Sequence, residues 1–173
     1  MSVQEHKQAT PNSITCKVIT ISDTRTKETD KSGQLMISLL EESGFKVLDY
    51  RIVKDEEAYI EEAIREGCER EEIDVVLTNG GTGIAKRDIT IETVSKLLDK
   101  EIVGFGELFR MLSYSEDIGS AAILSRAIAG VSNDTAVFST PGSSGAVKLA
   151  MKKLILPELG HVVSEIKKDI KRV

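Results

Sequence analysis

Between Asn79 and Asp88 the chain reads NGGTGIAKRD, and few other stretches of it bring so many chemically useful groups together. Gly80, Gly81 and Gly83 let the backbone take positive φ and let main-chain N–H groups approach a ligand with no side chain between, a concavity suited to anions. Thr82 adds a hydroxyl, Lys86 and Arg87 add two cations, and Asp88 adds a carboxylate. The loop therefore suits an anionic ligand, although GGTG could also serve only as a tight turn. Two known phosphate loops are excluded, because no G-K-[ST] follows the glycines and no G-x-G-x-x-G is present.

Such groups act only if a rigid frame positions them. Val75-Val76-Leu77 before the glycines is an unbroken β-branched and apolar run, which predicts a central strand buried on both faces. After the charged triplet, Thr90 fits a helix N-cap, Glu92 sits in the first turn, and Val94, Leu97 and Leu98 mark a helix face. The order is therefore strand, glycine loop, helix, and in open α/β sheets ligands bind at such carboxyl-end loops.

The rest of the chain repeats this alternation. A strand from Ile14 to Ile21 exits into Ser22-Asp23-Thr24-Arg25-Thr26, a polar loop that fits solvent or a ligand crevice equally. A helix fits from Ser32, with Leu35, Met36, Leu39 and Leu40 inward and Ser43-Gly44 closing it. Phe45 to Val53 alternates with mixed faces, as a less buried strand does. Asp55 then precedes a helix facing inward through Ile60, Ala63, Ile64 and Gly67, and reads first as its N-cap, a role worth about 1 kcal/mol. Ile102 to Leu112 and Ile118 to Arg126 have poor periodicity and predict short helices, with Phe105, Leu108, Phe109 and Met111 open to core or subunit contact and leaning to contact. Ala127 to Val131 and Thr135 to Ser139 flank Ser132-Asn133-Asp134 as a hairpin, which predicts one antiparallel pair. Thr140-Pro141-Gly142-Ser143-Ser144-Gly145 leads into a last helical region that Pro157 ends or restarts.

Bulk properties narrow the options. At 173 residues the chain suits one domain, over 13–173, after a flexible polar tail over 1–12. Its net charge of −5, with signs interspersed, offers no field for nucleic acid or an anionic membrane. Cys16 and Cys68 form no C-x-x-C pair, His161 has only the ordinary Glu158 and Glu165 at ligand spacing, and no bound structural metal is expected. With no leader-like or spanning apolar segment, a cytoplasmic location is the default expectation.

The string LTNGGTGIAKRDIT resembles the signature of the MoaB/MogA family of molybdenum cofactor biosynthesis proteins. The likeness extends to Ile21-Ser22-Asp23-Thr24-Arg25-Thr26, Asp30-Lys31-Ser32-Gly33, Gly104 to Arg110 and Thr140-Pro141-Gly142-Ser143, in order from about 13 to 165. It implies a three-layer α/β/α sandwich with a mostly parallel sheet and one antiparallel edge strand, assembled as a homotrimer or a hexamer of two trimers. It implies a molybdopterin site using Asp23, Ser32, Gly33, Gly80, Gly81, Thr82, Gly83, Pro141, Gly142 and Ser143. The MogA-type activity, adenylylation of molybdopterin by Mg²⁺ with ATP, would rest on Asp55 and Asp88. The chain departs from the MogA pattern at Ser143-Ser144 and at Ile91, where those enzymes tend to carry proline, and so is more similar to MoaB. The resemblance therefore leaves two readings, an adenylyltransferase and a catalytically silent molybdopterin-binding protein.

Overall fold

The computed structural model describes residues 13–170. The expectation for the N-terminal tail lies outside that range. Four segments alternate strand and helix from the start: β1 (Thr15–Ile21), α1 (Lys31–Glu42), β2 (Lys46–Val53) and α2 (Glu57–Glu69). β3 (Val75–Asn79) and α3 (Thr90–Leu97) carry the glycine loop between them. There follow β4 (Lys100–Glu101), α4 (Val103–Glu116), a 3₁₀ segment (Gly119–Leu124), β5 (Ile128–Ser132) and β6 (Thr135–Thr140). A helical tail, α5 (Ser144–Ala150) and α6 (Leu156–Lys167), is joined by one π-type turn over Met151–Ile155.

The strands form a single sheet in the order β2-β1-β3-β6-β5-β4. β2, β1, β3 and β6 are mutually parallel. β5 runs against β6, and the two-residue β4 pairs antiparallel outside β5. The β5–β6 hairpin turns on Asn133 and Asp134 at φ 48° and 59°, the left-handed pair that a two-residue turn requires.

Strand alternation sends Cys16, Val18, Val75, Leu77, Ala136 and Phe138 to a core shared with α1, α4, α5 and α6. Ile19, Ile21, Val76 and Val137 face α2 and α3 on the other side. Helices thus cover both faces, and β3 is buried throughout, as its apolar run requires.

Several local expectations are revised. The strict alternation over Phe45 to Val53 breaks at a bulge, since Cys16 pairs with Val47 while Lys17 pairs with Asp49. Val47 and Tyr50 consequently pack on the same core, whereas Asp49 is turned to the buried Lys17, whose Nζ lies 3.3 Å away. Ile102 caps one 14-residue helix that Val103 to Leu112 open, and in it Phe105 and Phe109 are core while Leu108 and Met111 are exposed. Pro157 stands in the first turn of α6, so the α-helix restarts there as expected, after a π-type turn in which Leu156 N–H reaches Met151 O. Cys16 and Cys68 are buried free thiols, pushed up to about 12 and about 11 chiefly by burial. Among the described residues no helix is long and apolar enough to cross a membrane.

Candidate active site

β1 and β3 are neighbours whose onward connections leave in opposite directions, one to β2 and the other toward β6 by way of β4 and β5. Their carboxyl ends therefore splay, and a crevice opens there. A cavity of about 520 Å³ occupies it, floored by Gly80 to Gly83 with Ser22, Thr24 and Arg25 on one side. Pro141 and Gly142 close a second side, and the 3₁₀ segment adds an apolar wall of Ile118, Ala121 and Leu124.

The glycines are required by contact as well as conformation. Gly80 has φ +103°, and a Cβ there would lie 2.2 Å from Ile21 O. Gly81 has φ +67°, and a Cβ there would lie 2.3 Å from Thr90 Oγ1 and 3.0 Å from Asp55 Oδ1. Thr90 is not the N-cap expected of it. It is the first helical residue, its N–H bonds Gly81 O at 3.0 Å, and its buried hydroxyl has no partner among the described residues.

Asp55 likewise does not cap α2. The cap position is Glu56, which makes no side-chain bond, and Asp55 Oδ1 is buried and unpartnered among the described residues. Burial raises the Asp55 carboxyl above its ordinary range, and the charges of Asp88 and Asp23 raise it further against the lowering effect of Arg87. Asp23 Oδ1 accepts the Asp55 N–H at 3.1 Å and its other oxygen pairs with Arg87. Asp88 Oδ2 accepts Ala85 N–H at 3.1 Å, tying the charged triplet into a turn. Asp55 thus feels two carboxylates, Asp88 and Asp23, against the single guanidinium of Arg87, which itself pairs with Asp23, a charge imbalance that a bound cation would relieve.

Beneath this rim lies a fully satisfied network. Arg25 donates to Ser32 Oγ at 2.6 Å and to Gly142 O at 2.7 Å, linking the loops after β1 and β6. Ser32 donates to Asn79 Oδ1 at 2.8 Å, and Asn79 donates to Thr20 Oγ1 at 2.9 Å. Asp30 caps α1 through Gly33 N–H at 3.1 Å. Burial alone would raise the Asp30 carboxyl, but hydrogen bonds from Thr20, Tyr50 and Gly33 and the Arg25 charge together hold it below the usual range.

A family model described as a probable molybdopterin binding domain matches residues 17–161. The chain belongs to the MoaB/MogA family of molybdenum cofactor biosynthesis proteins. It is 68% identical to molybdenum cofactor biosynthesis protein B of Bacillus subtilis (strain 168), covering 98% of this chain and 99% of that one. A crystal structure of a molybdenum cofactor biosynthesis protein B is 66% identical, with a TM-score of 0.89 over 91% of this chain and 98% of that one. The tungsten cofactor synthesizing protein MoaB of Pyrococcus furiosus is 39% identical, with a TM-score of 0.76 over 91% of this chain and 99% of its own. The chain is thus of the MoaB type.

On this MoaB-type frame, Gly80, Gly81, Thr82, Gly83, Asp88, Pro141 and Gly142 line the cavity itself. Asp55 lies directly behind Gly81, and Asp23 stands at the rim beside it. Ser32 and Gly33 are buried below the floor, and Ser143 caps α5 by accepting Ala146 N–H at 3.1 Å. Sequence reasoning missed Arg126, which lines the cavity and bonds the glycine loop. It sits 38 residues beyond Asp88 in a stretch with no clear period, so no local signal marks it.

Proposed function

We propose that this MoaB-type protein binds molybdopterin in the crevice and adenylylates its terminal phosphate with Mg-ATP. The observation that carries the reading is Asp55: a carboxylate oxygen that is buried, unpartnered and crowded by Asp88 and Asp23 is suited to a cation. No group of three potential metal ligands stands together among the described residues, so the ion is expected to arrive with nucleotide phosphates completing its coordination. Asp55, with Asp88 and the unpartnered hydroxyl of Thr90 nearby, would hold it. Once bound, the ion would offset negative charge on the triphosphate.

The chain's own residues supply positioning and an electrostatic frame, which is most of what phosphoryl transfer needs. The glycine loop brings main-chain groups against the molybdopterin phosphate, and Arg25 keeps Gly142 and Ser32 in register on the facing wall. An oxygen of that phosphate bonds to the α-phosphorus of ATP while the bond to the β-phosphate bridge breaks, and pyrophosphate leaves with the electron pair. No side chain needs to remove a proton, because the attacking phosphate is already anionic at neutral pH.

One observation favours the second reading, molybdopterin binding without transfer: Asp88 Oδ2 is already occupied by Ala85 N–H. Purified protein given molybdopterin and Mg-ATP separates the two. AMP-bound product with stoichiometric pyrophosphate supports transfer, whereas tight binding with no product selects the silent reading. A trimer or a hexamer of trimers belongs to the same proposal and is supported by Val103, Leu108, Met111 and Tyr114, exposed along α4. Sedimentation showing a stable monomer would remove it.

A further inference from the structure

Arg126 lies in the link between the 3₁₀ segment and β5, away in sequence from every glycine of the site. Its Nε donates to Thr82 O at 3.0 Å and Gly83 O at 3.1 Å, and its Nη2 donates to Gly83 O at 2.6 Å and Asp88 O at 3.2 Å. Glu92, in the first turn of α3, pairs with Nη1 and lies 3.3 Å from Nη2. Among the described residues, no other group bonds the carbonyls of Thr82 and Gly83. A planar fork of five N–H donors can meet three carbonyls and a carboxylate at once, which an ammonium cannot do.

We propose that Arg126 is a positioning residue, one that fixes the glycine loop in its ligand-ready shape by clamping its carbonyls and does not meet the anion by its own charge. Two features separate these roles. The guanidinium is already neutralised by Glu92, so little charge remains for a ligand. The loop it holds begins with two adjacent glycines at positive φ, the residues that lose most conformational freedom on ordering, and these need an external restraint to stay in one conformation. The loop end next to Gly81 is fixed by backbone, through Gly80 N–H to Thr140 O and Thr90 N–H to Gly81 O, while the Thr82–Gly83 segment is fixed by Arg126.

The proposal rests on the anion-binding reading only for its ligand, so its test begins without one. Hydrogen exchange on the ligand-free protein, with R126K, R126Q and E92Q, reads the amides of residues 81–88 against those of β1 and β3. The clamp predicts that both Arg126 variants speed loop exchange by about tenfold or more, the scale of one or two lost hydrogen bonds, with the strands unchanged. R126K exchanging like the wild type would overturn the clamp whether or not molybdopterin binds. Titration with molybdopterin then adds a sign. The clamp predicts that R126K weakens binding as much as R126Q does, and that E92Q weakens it slightly by loosening the fork. A direct charge role predicts that R126K preserves affinity and E92Q raises it, and either result would overturn the proposal. Should R126Q fail to fold, R126K and E92Q still decide. Wild-type protein that binds no molybdopterin would remove the proposed function and leave the exchange result to judge the clamp.

Discussion

Asp30 and Asp55 are both aspartates at strand-to-helix loops of the same sheet edge, and the structure treats them oppositely. Asp30 is fully buried and surrounded by donors: Gly33 N–H at 3.1 Å, Tyr50 Oη at 2.5 Å, Ser32 Oγ at 3.3 Å and the Arg25 guanidinium. Its burial is more than offset, and its carboxyl stays below the usual range. Asp55 is less buried, yet one oxygen has no partner among the described residues, two carboxylates stand near it, and its carboxyl is raised. Burial by itself therefore does not decide what an aspartate is for. A carboxylate with its bonds made holds the fold, and one left short of donors beside like charges is prepared for a ligand.

The comparison is most exposed at Asp55→Asn. Size is kept while the charge that a divalent ion needs is lost, so AMP transfer should fall by about 10² to 10³-fold, roughly 3 to 4 kcal/mol of transition-state stabilisation. Stability at neutral pH should be equal or slightly higher, since repulsion from Asp23 and Asp88 is relieved. Because the folded carboxyl is raised above 3.8, its favourable contribution is present below that pH and lost as pH rises through the raised value. Wild type should accordingly gain on the Asn variant in urea melts as the solution is acidified through that window. A variant less stable by 1 kcal/mol or more at pH 7, with transfer intact, would return Asp55 to a structural role.

Asp30→Ala should reverse the pattern. It removes the α1 cap and leaves the Tyr50 hydroxyl without its acceptor, while Arg25 keeps Ser32 and Gly142, a combined loss of about 2 to 4 kcal/mol. Transfer per folded molecule should stay within about tenfold of wild type, since Asp30 does not line the cavity. A large loss of turnover with unchanged urea midpoint would dissolve the contrast between the two aspartates.

Much of this difference was hidden in the sequence, and the reasons are physical. Local signals carried the alternation of strands and helices, the β5–β6 hairpin and the glycine loop, because each depends on residues close together in the chain. Asp30-Lys31-Ser32-Gly33 gave no hint that Asp30 would be saturated, because two of its donors, Tyr50 and Thr20, come from other strands. Asp55 and Thr90 each looked like caps, since an acceptor just before a helix usually is one. Both instead point their unpartnered oxygens at Gly81, a convergence that only the sheet order creates. Leu48 illustrates the same limit in packing: its bulge reverses the faces of β2, and periodicity alone carries no trace of it.

Gly81→Val tests the wall between Asp55 and the cavity. A β-branched residue at φ +67° is strained and would also press on Thr90 Oγ1 and Asp55 Oδ1, so a stability loss of about 1 to 3 kcal/mol is expected. That cost comes in addition to the weaker molybdopterin binding expected when a side chain obstructs the anion's approach. Gly81→Ala should retain most of the effect on binding with a smaller effect on the urea midpoint. Unaltered affinity in the folded alanine variant would demote the loop to a turn.

The smallest expected effect belongs to Tyr50→Phe, and its value lies in its pH dependence. The substitution removes one donor to Asp30 with little change in shape, so the loss near neutrality should be about 1 kcal/mol. Asp30's folded carboxyl is held below its ordinary 3.8, so its contribution is present above 3.8 and is lost as pH falls through the lower folded value. Without Tyr50 there is less of that contribution to lose, and the two proteins should converge in stability below pH 3.8. Tyr50 itself carries the opposite limb: burial first, then the bond to Asp30, raises its hydroxyl above the ordinary 10.0. That contribution is present below pH 10 and lost as pH rises through the raised value, so wild type should approach Tyr50→Phe again in strong alkali. The stability difference should therefore be a plateau between the two limits, falling away on both sides. A difference that stays constant through both limits would mean that the hydroxyl contributes only packing, and that Asp30 owes its low carboxyl to Thr20, Gly33 and Arg25 alone.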